Sequence, residues 1–300
     1  MRRFLNKRTL LIAGALLLLA AVSAIVGLFL YVNSPAFNER VRNFIVERMG
    51  AYTGAQVALE RVRWSLTDQR LVLENLTLRG TETADEPPLA HIESITAGVN
   101  LRSLLQRRID LFELTIVNPE VHLRVDSKGQ TNVPGPARRE AVPETRVTLS
   151  IDNLKVIGGR GIINDKQTNL DFEIAKLMSD LRYRSETQVL SAQVSYAGTL
   201  TRPGESPIPY ELSSDFDYTR GSIIAQKIQV ESNKSSATLQ GRIDKVLTPD
   251  VNGKLAYTGN LQTALLKPFL PEDTFTGSLT ARGELAFSIG NFSTTGDAES

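Results

Sequence analysis

Residues 71–78, LVLENLTL, place apolar side chains at the first, third, sixth and eighth positions: Leu71, Leu73, Leu76 and Leu78. Side chains of a plain strand alternate between faces, so the step from third to sixth would move the second pair to the opposite side. One extra residue between them, a β-bulge, restores all four to one face, and it also bends the strand and strengthens its twist. The pattern recurs in VALERVRW (57–64), in IDLFELTI (109–116) with Ile109, Leu111, Leu114 and Ile116, and in LSIDNLKV (149–156) with Leu149, Ile151, Leu154 and Val156. Two octets share an acid-Asn-Leu centre, Glu74-Asn75-Leu76 and Asp152-Asn153-Leu154. Apolar residues fill 41% of the chain, so one match would mean little; the recurrence is what predicts a curved sheet with one apolar face.

Downstream of the octets, alternation and Gly or Asn turns predict strands around 147–156, 161–164, 170–174, 190–200, 210–218, 222–231, 236–243, 251–257 and 277–287. Two short stretches, 101–105 and 261–269, read as helical. Asp126 to Gly129 reads as a turn after VHLRV, and PGPARREAVPET, with three prolines and no apolar period, as a linker or loop. The last residues, SIGNFSTTGDAES, offer no closing element, so 288–300 is expected to be either the uncapped end of a fragment of a longer protein or a disordered terminus.

Upstream, Thr9 to Val32 is 24 residues without a charge, enough for a helix of roughly 36 Å against a hydrocarbon core of about 30 Å. Arg2, Arg3, Lys7 and Arg8 precede it and the next charge is Glu39, which places the N-terminus in the cytoplasm and the rest across the membrane. Val22-Ser23-Ala24 would suit a signal peptidase, but the apolar run continues through Leu30, beyond the usual length of a cleavable core. Phe37, Val41, Phe44, Ile45 and Met49 then recur at helical spacing before Gly50 and Gly54. That amphipathic helix either lies at the bilayer or packs over the first strands, and the second reading is favoured. The expected organisation is a basic tail (1–8), a transmembrane anchor (9–32), an amphipathic helix (36–50), a first β region (55–133), the linker (134–146), continuing β repeats (147–287) and the end (288–300).

The 34 Lys and Arg balance 33 Asp and Glu, and removing the four N-terminal cations from the formal +1 leaves −3, which predicts no nucleic-acid partner. With no cysteine, disulfides, thiol catalysis and thiolate metal sites are excluded. His91 and His122 are the only histidines and sit in strand-like sequence. No GxSxG, HExxH, P-loop or EF-hand spacing occurs. Gly158-Gly159-Arg160-Gly161 reads as a tight turn, Asp126 and Asp165 as turn residues, and Arg107-Arg108 as a solvated pair. The chain is expected not to be an enzyme and to use no cofactor or metal.

The order of anchor, short helix, GAQVALERVRWSLTDQRLVLENLTLRG and LRSLLQRRIDLFELTIVNPEVHLRVDSKGQTNVP resembles the N-terminal region of the AsmA-like superfamily, which includes the TamB translocation and assembly module proteins. The resemblance is best over 1–134, most specific at Asn118 to Leu123 with Asp126, Gly129 and Asn132, and weaker over IDNLKVIGGRGIIND and LDFEIAKLMSDL. It implies a mainly β fold, an elongated, twisted, taco-like groove behind an inner-membrane anchor, reaching through the bacterial periplasm. It further implies a role in outer-membrane biogenesis, carrying phospholipid acyl chains between the membranes, or a TamB-type role in outer-membrane protein assembly and secretion with an outer-membrane protein partner. The twelve octet leucines, isoleucines and valine from Leu71 to Val156 named above are the candidate lipid-groove residues. About 14 strands would make such a sheet about 65–70 Å wide. A closed β-sandwich, acting as a structural or binding module, is the alternative way to bury the apolar face.

Overall fold

The computed structural model describes residues 7–104, 106, 108–135, 148–168, 170–202, 204, 206–262, 277–288 and 291–299. Helix α1 runs Lys7–Val32 and α2 Pro35–Thr53. Among residues with described side chains no single helix is long and apolar enough to cross a membrane; Leu18–Val32 and Pro35–Thr53, bent by 58° at the break, meet that length and composition only as a pair. Ser34 starts α2, its hydroxyl accepting from the Phe37 N–H at 3.3 Å with Pro35 in the first turn. The helix ends at Gly54, in the left-handed region at φ 72° and one of the two glycines expected to end it, and so runs through the other, Gly50, and beyond the expected bound of 50.

The strands are β1 (Gln56–Ser65), β2 (Arg70–Arg79), β3 (Ala90–Val99), then a turn of helix α3 (Leu101–Leu104) and β4 (Arg108–Val125). After them come β5 (Thr148–Ile151), β6 (Asn153–Asp165), β7 (Leu170–Arg184), β8 (Val189–Thr201), β9 (Ile208–Thr219) and β10 (Ser222–Ser232). The series closes with β11 (Ser235–Asp244), β12 (Asn252–Gln262), β13 (Ser278–Ser288) and β14 (Asn291–Glu299). All belong to one 14-stranded sheet whose strands follow in sequence order except that β6 comes next to β4, with β5 paired to β4 off this path, and β1 and β14 do not pair. The sheet is therefore open, and the closed sandwich is not formed. Pairing is antiparallel except where β5 and β6 run parallel to β4. Two-residue turns at Arg220-Gly221 and Asn233-Lys234, all four with positive φ, match the twist of the strands they join.

Several expectations are corrected. Strand β3 was not singled out, because AHIESITAGV mixes small and polar residues. The glycines at 158–161 lie inside β6 rather than in a turn; Gly158 (φ 70°) is an irregularity in the ladder. Residues 147–156 and 161–164 are not separate strands: β5 and β6 are two halves of one line broken at Asp152, both beside β4. Thirteen strands thus lie on the sheet's path, giving about 62 Å rather than 65–70 Å. Residues 291–299 are a strand rather than coil, Asn291–Glu299 pairing with β13 along its length, and β14 is the last strand of the path. Leu261 and Gln262 finish β12; the remaining residues of that expected helix, the linker from 136 onward, and Arg107 lie outside the described residues.

Helix α2 supplies the one second layer in the described sheet. Val41, Ile45, Val46 and Met49 pack on Leu59, Val62 and Leu76, so the reading of a helix laid over the first strands holds. It also covers the free edge of β1: Arg42 Nε donates to the Leu59 carbonyl at 2.8 Å, and the Trp64 N–H donates to Asn38 Oδ1 at 3.2 Å. With two of its outward backbone groups engaged, the edge is blunted as a template for another chain.

Candidate functional site

The octets contain the irregularity their spacing requires, by three local routes. Between β1 and β2 the register is the same on both sides of Glu60 and Asn75, so the extra residue is present in both strands at one rung and cancels. Asn75 takes it up at φ 53° and its amide donates to the Glu60 carboxylate. Between β3 and β4 the register shifts from Gly98 paired with Glu113 to Val99 paired with Leu111, leaving Phe112 as the bulge. The fourth octet breaks at Asp152.

The consequence is one apolar face. Leu71, Leu73, Leu76 and Leu78 oppose Trp64, Val62, Leu59 and Val57. Leu114 and Ile116 oppose Ala97 and Ile95 on one side and Leu154 and Val156 on the other. Leu111 aligns with Ile151, and Ile109 with the backbone of Leu149. A single row then crosses the whole sheet, each residue paired with the next: Trp64, Leu71, Ala97, Leu114, Leu154, Leu181, Ala192, Phe216, Ala225, Gly241, Leu255, Leu285 and Thr294. The neighbouring row on the other face reads Thr96, Thr115, Lys155, Asp180, Gln193, Asp215 and Lys227. The sites that sequence reading missed are those of β7 to β13; plain period-two alternation, as in Leu190, Ala192, Val194, was the available signal.

The apolar face is lined but not sealed. The candidates Leu71, Leu73 and Leu78 pack around the cluster under α2, and Leu111 joins Ala97 and Val99 in a second cluster with Trp64, Ile109, Leu114 and Ile151. Ile116, Leu154 and Val156 are half-buried, as are Val194, Leu212 and Ile228 further along. No large side chain among the described residues is fully enclosed. Aromatic rings lie over glycines: Tyr210 over Gly198, Phe287 over Gly253 and Tyr257 over Gly283, each a directly paired rung. A Cβ on Gly198 would come within 2.3 Å of the Tyr210 ring, so the glycine is what lets the ring lie down. Burial pushes the Tyr210 hydroxyl above its ordinary range, and Tyr196, edge-on at 5.9 Å, adds to this.

The ion pairs among the described strands lie on the opposite face. Glu74 is held by Arg61 at 3.2 Å and by Arg63, Arg70 meets Glu113 at 3.0 Å, Arg160 meets Glu173 at 2.8 Å, and Lys254 meets Glu284 at 2.7 Å. The hydrogen bond from Arg182 holds the Asp180 carboxyl below its usual range. His91 Nδ1 lies 3.0 Å from Thr77 Oγ1 and His122 Nε2 lies 3.3 Å from Glu120, both within this polar surface. Two concavities also open there: one of about 510 Å³ lined by Lys155, Ile157, Met178, Asp180 and Lys227, and one of about 750 Å³ lined by Glu173, Glu211, Glu231 and Lys234.

The most specific sequence piece turns out to be structural. Asp126 Oδ1 accepts from the Lys128 and Gln130 N–H groups, Gly129 has φ 78°, and the buried Asn132 accepts from Arg124 N while donating to the His122 carbonyl. Asp165 closes its turn in the same way, accepting from Gln167 and Thr168. Among the described residues no group of three His, Asp or Glu side chains is placed to hold a metal ion.

Comparison with curated proteins returns no match. The profile described as AsmA family matches residues 1–263, which takes in both helices and the sheet through β12, and the chain belongs to the AsmA family.

Proposed function

We propose that the chain is a single-pass, inner-membrane-anchored periplasmic protein that conducts phospholipid along the apolar face of its sheet, without catalysis. The supporting observation is the row from Trp64 to Leu285, apolar or glycine at each rung, on a sheet that has, among the described residues, no second layer beyond α2. An apolar face of that extent has to be covered by something, and acyl chains match it in chemistry. Polar head groups would remain at the rim, in water, at no desolvation cost. Membership of the AsmA family supports a place in envelope lipid traffic. The uncharged run 9–32, helical within α1, with four cations before it, supports the anchor and its orientation.

The experiment is photocrosslinking in cells. A crosslinker at Val194, Leu212 or Ile228 should capture phospholipid, whereas one at Gln193, Ser213 or Gln229, one residue along on the other face, should not. Equal capture from both sets overturns the reading. Capture of a polypeptide by the apolar set instead would favour a role in outer-membrane protein assembly.

A further inference from the structure

Outward from the sheet, α2 presents two parallel rows. Glu39, Asn43 and Glu47 form one; Arg40, Phe44, Arg48 and Tyr52 form the other, and all seven are exposed. In the second row Phe44 is 58% and Tyr52 70% exposed, and the Arg48 guanidinium lies 5.4 Å from the Phe44 ring. Among the described residues neither Arg40 nor Arg48 has an ion-pair partner, whereas Arg42, turned to β1, holds Glu39 at 2.8 Å. Alternating arginine and aromatic side chains are suited to a headgroup layer, where rings sit at the polar–apolar boundary and guanidinium groups reach phosphate. The preceding helix fixes where this row lies. Only Asn33 and Ser34 separate α1 from α2, Phe37 meets Tyr31 edge-on at 5.7 Å, and the 58° bend brings α2 to within about 10° of the bilayer plane when α1 takes the tilt of about 20° usual for membrane helices.

We infer that the Arg40–Phe44–Arg48–Tyr52 row of α2 docks on the outer surface of the bilayer that holds α1, with anionic phospholipid head groups as its partner, and so fixes the first strands of the apolar face against the lipid surface. This rests on the anchor proposed above. The same helix has two faces with two tasks: Val41, Ile45 and Met49 hold the sheet and the arginine–aromatic row holds the membrane. The acidic row stays in water.

The chain has no cysteine, so single cysteines introduced into the full protein report position without background. With the full chain in nanodiscs of phosphatidylethanolamine and phosphatidylglycerol, a nitroxide on Ala51→Cys, beside the row, should collide with oxygen more than with a water-soluble nickel chelate. One on Asn43→Cys should do the reverse. Combining Ala51→Cys with Arg40→Glu and Arg48→Glu should lower the docked fraction by at least about fivefold for each arginine, and an all-phosphatidylcholine disc should lower it with the native arginines. A nitroxide on Val22→Cys tests the anchor separately. If it is immersed while Ala51→Cys remains in water, or if the charge reversals leave Ala51→Cys docked, the inference is overturned and the anchor stands. If Val22→Cys is itself in water, the anchor falls and the inference with it. Each variant is checked by native-like circular dichroism, and Phe44→Ser with Tyr52→Ser, which changes no charge, should weaken docking independently.

Discussion

Asn75 and Asn118 perform the same task two strands apart. Each occupies the left-handed region, at φ 53° and 47°, and each donates its amide to a glutamate on the preceding strand, Glu60 and Glu93. Gly158 and Lys176, also at positive φ, carry the irregularity on through β6 and β7. Left-handed backbone costs an alanine roughly 1 kcal/mol and costs asparagine less, because its short side chain bonds locally. Asn75→Ala should therefore weaken the β1–β2 pair by about 1–2 kcal/mol, while Asn75→Gly loses the hydrogen bond but not the conformation and should fall in between. Hydrogen exchange of the β1 and β2 amides reads both; equal protection in all three proteins would refute the account. Glu86 provides a pH-dependent tie. The hydrogen bond from Arg124, aided by the Thr83 N–H, lowers its carboxyl from 4.5 to about 2. A folded pKa below the unfolded value means the tie is fully present above 4.5 and is lost as pH falls towards 2. Exchange in the 81–89 segment should accordingly quicken across that window, and Glu86→Gln should remove the dependence.

At the scale of elements, α2 decides what becomes of β1. A first strand with a free edge and an apolar face is two liabilities at once, and the helix answers both, with Val41, Ile45 and Met49 on the face and Arg42 and Asn38 on the edge. Removing the bond from Arg42 to the Leu59 carbonyl should cost about 1 kcal/mol. Arg42→Ala should thus raise exchange in β1 about fivefold while leaving β8 to β11 unchanged, because stability in so extended a sheet is local. A rise that spread to β8 would mean that the sheet opens as one cooperative unit. The two-residue turns at Arg220-Gly221 and Asn233-Lys234 work on the same scale, setting the β9–β10 and β10–β11 registers and with them the face that Ile223 and Ile228 share.

For the whole molecule, the decisive property is that the sheet does not close. In a sealed core an aspartate would unfold the protein; on an open face water can reach it. Leu111 is a poor place to ask, since it is buried against Ala97 and Val99. Leu212, half-buried between Tyr196 and Val230, is a better one. Leu212→Asp should keep the circular dichroism of the native sheet and lose most lipid transfer between donor and acceptor vesicles, whereas Ser213→Asp, one residue along on the polar face, should transfer normally. Loss of β structure in Leu212→Asp would show that this region is sealed after all.

The octets made the apolar face, the bulges and the class of fold legible, because alternation and its interruption are properties of consecutive residues. The extent of β4, 18 residues through Asn118 and Pro119, was not legible: a proline cannot donate to a ladder, yet Pro119 sits at the rung beside the Asn118 irregularity, where the ladder is already interrupted. Nor was the place of the octet residues in the sheet. Leu71 and Ile116 look alike in sequence, but one lies beneath α2 and the other on the open face, a difference set by where a helix 20 or more residues upstream comes to rest. Local chemistry determined which side of each strand is apolar. Only tertiary structure decided that the faces join into one row, that β5 and β6 align beside β4 rather than adding two strands, and that the sheet stays open, because pairing across strands and the absence of a covering layer depend on contacts between residues far apart in the chain.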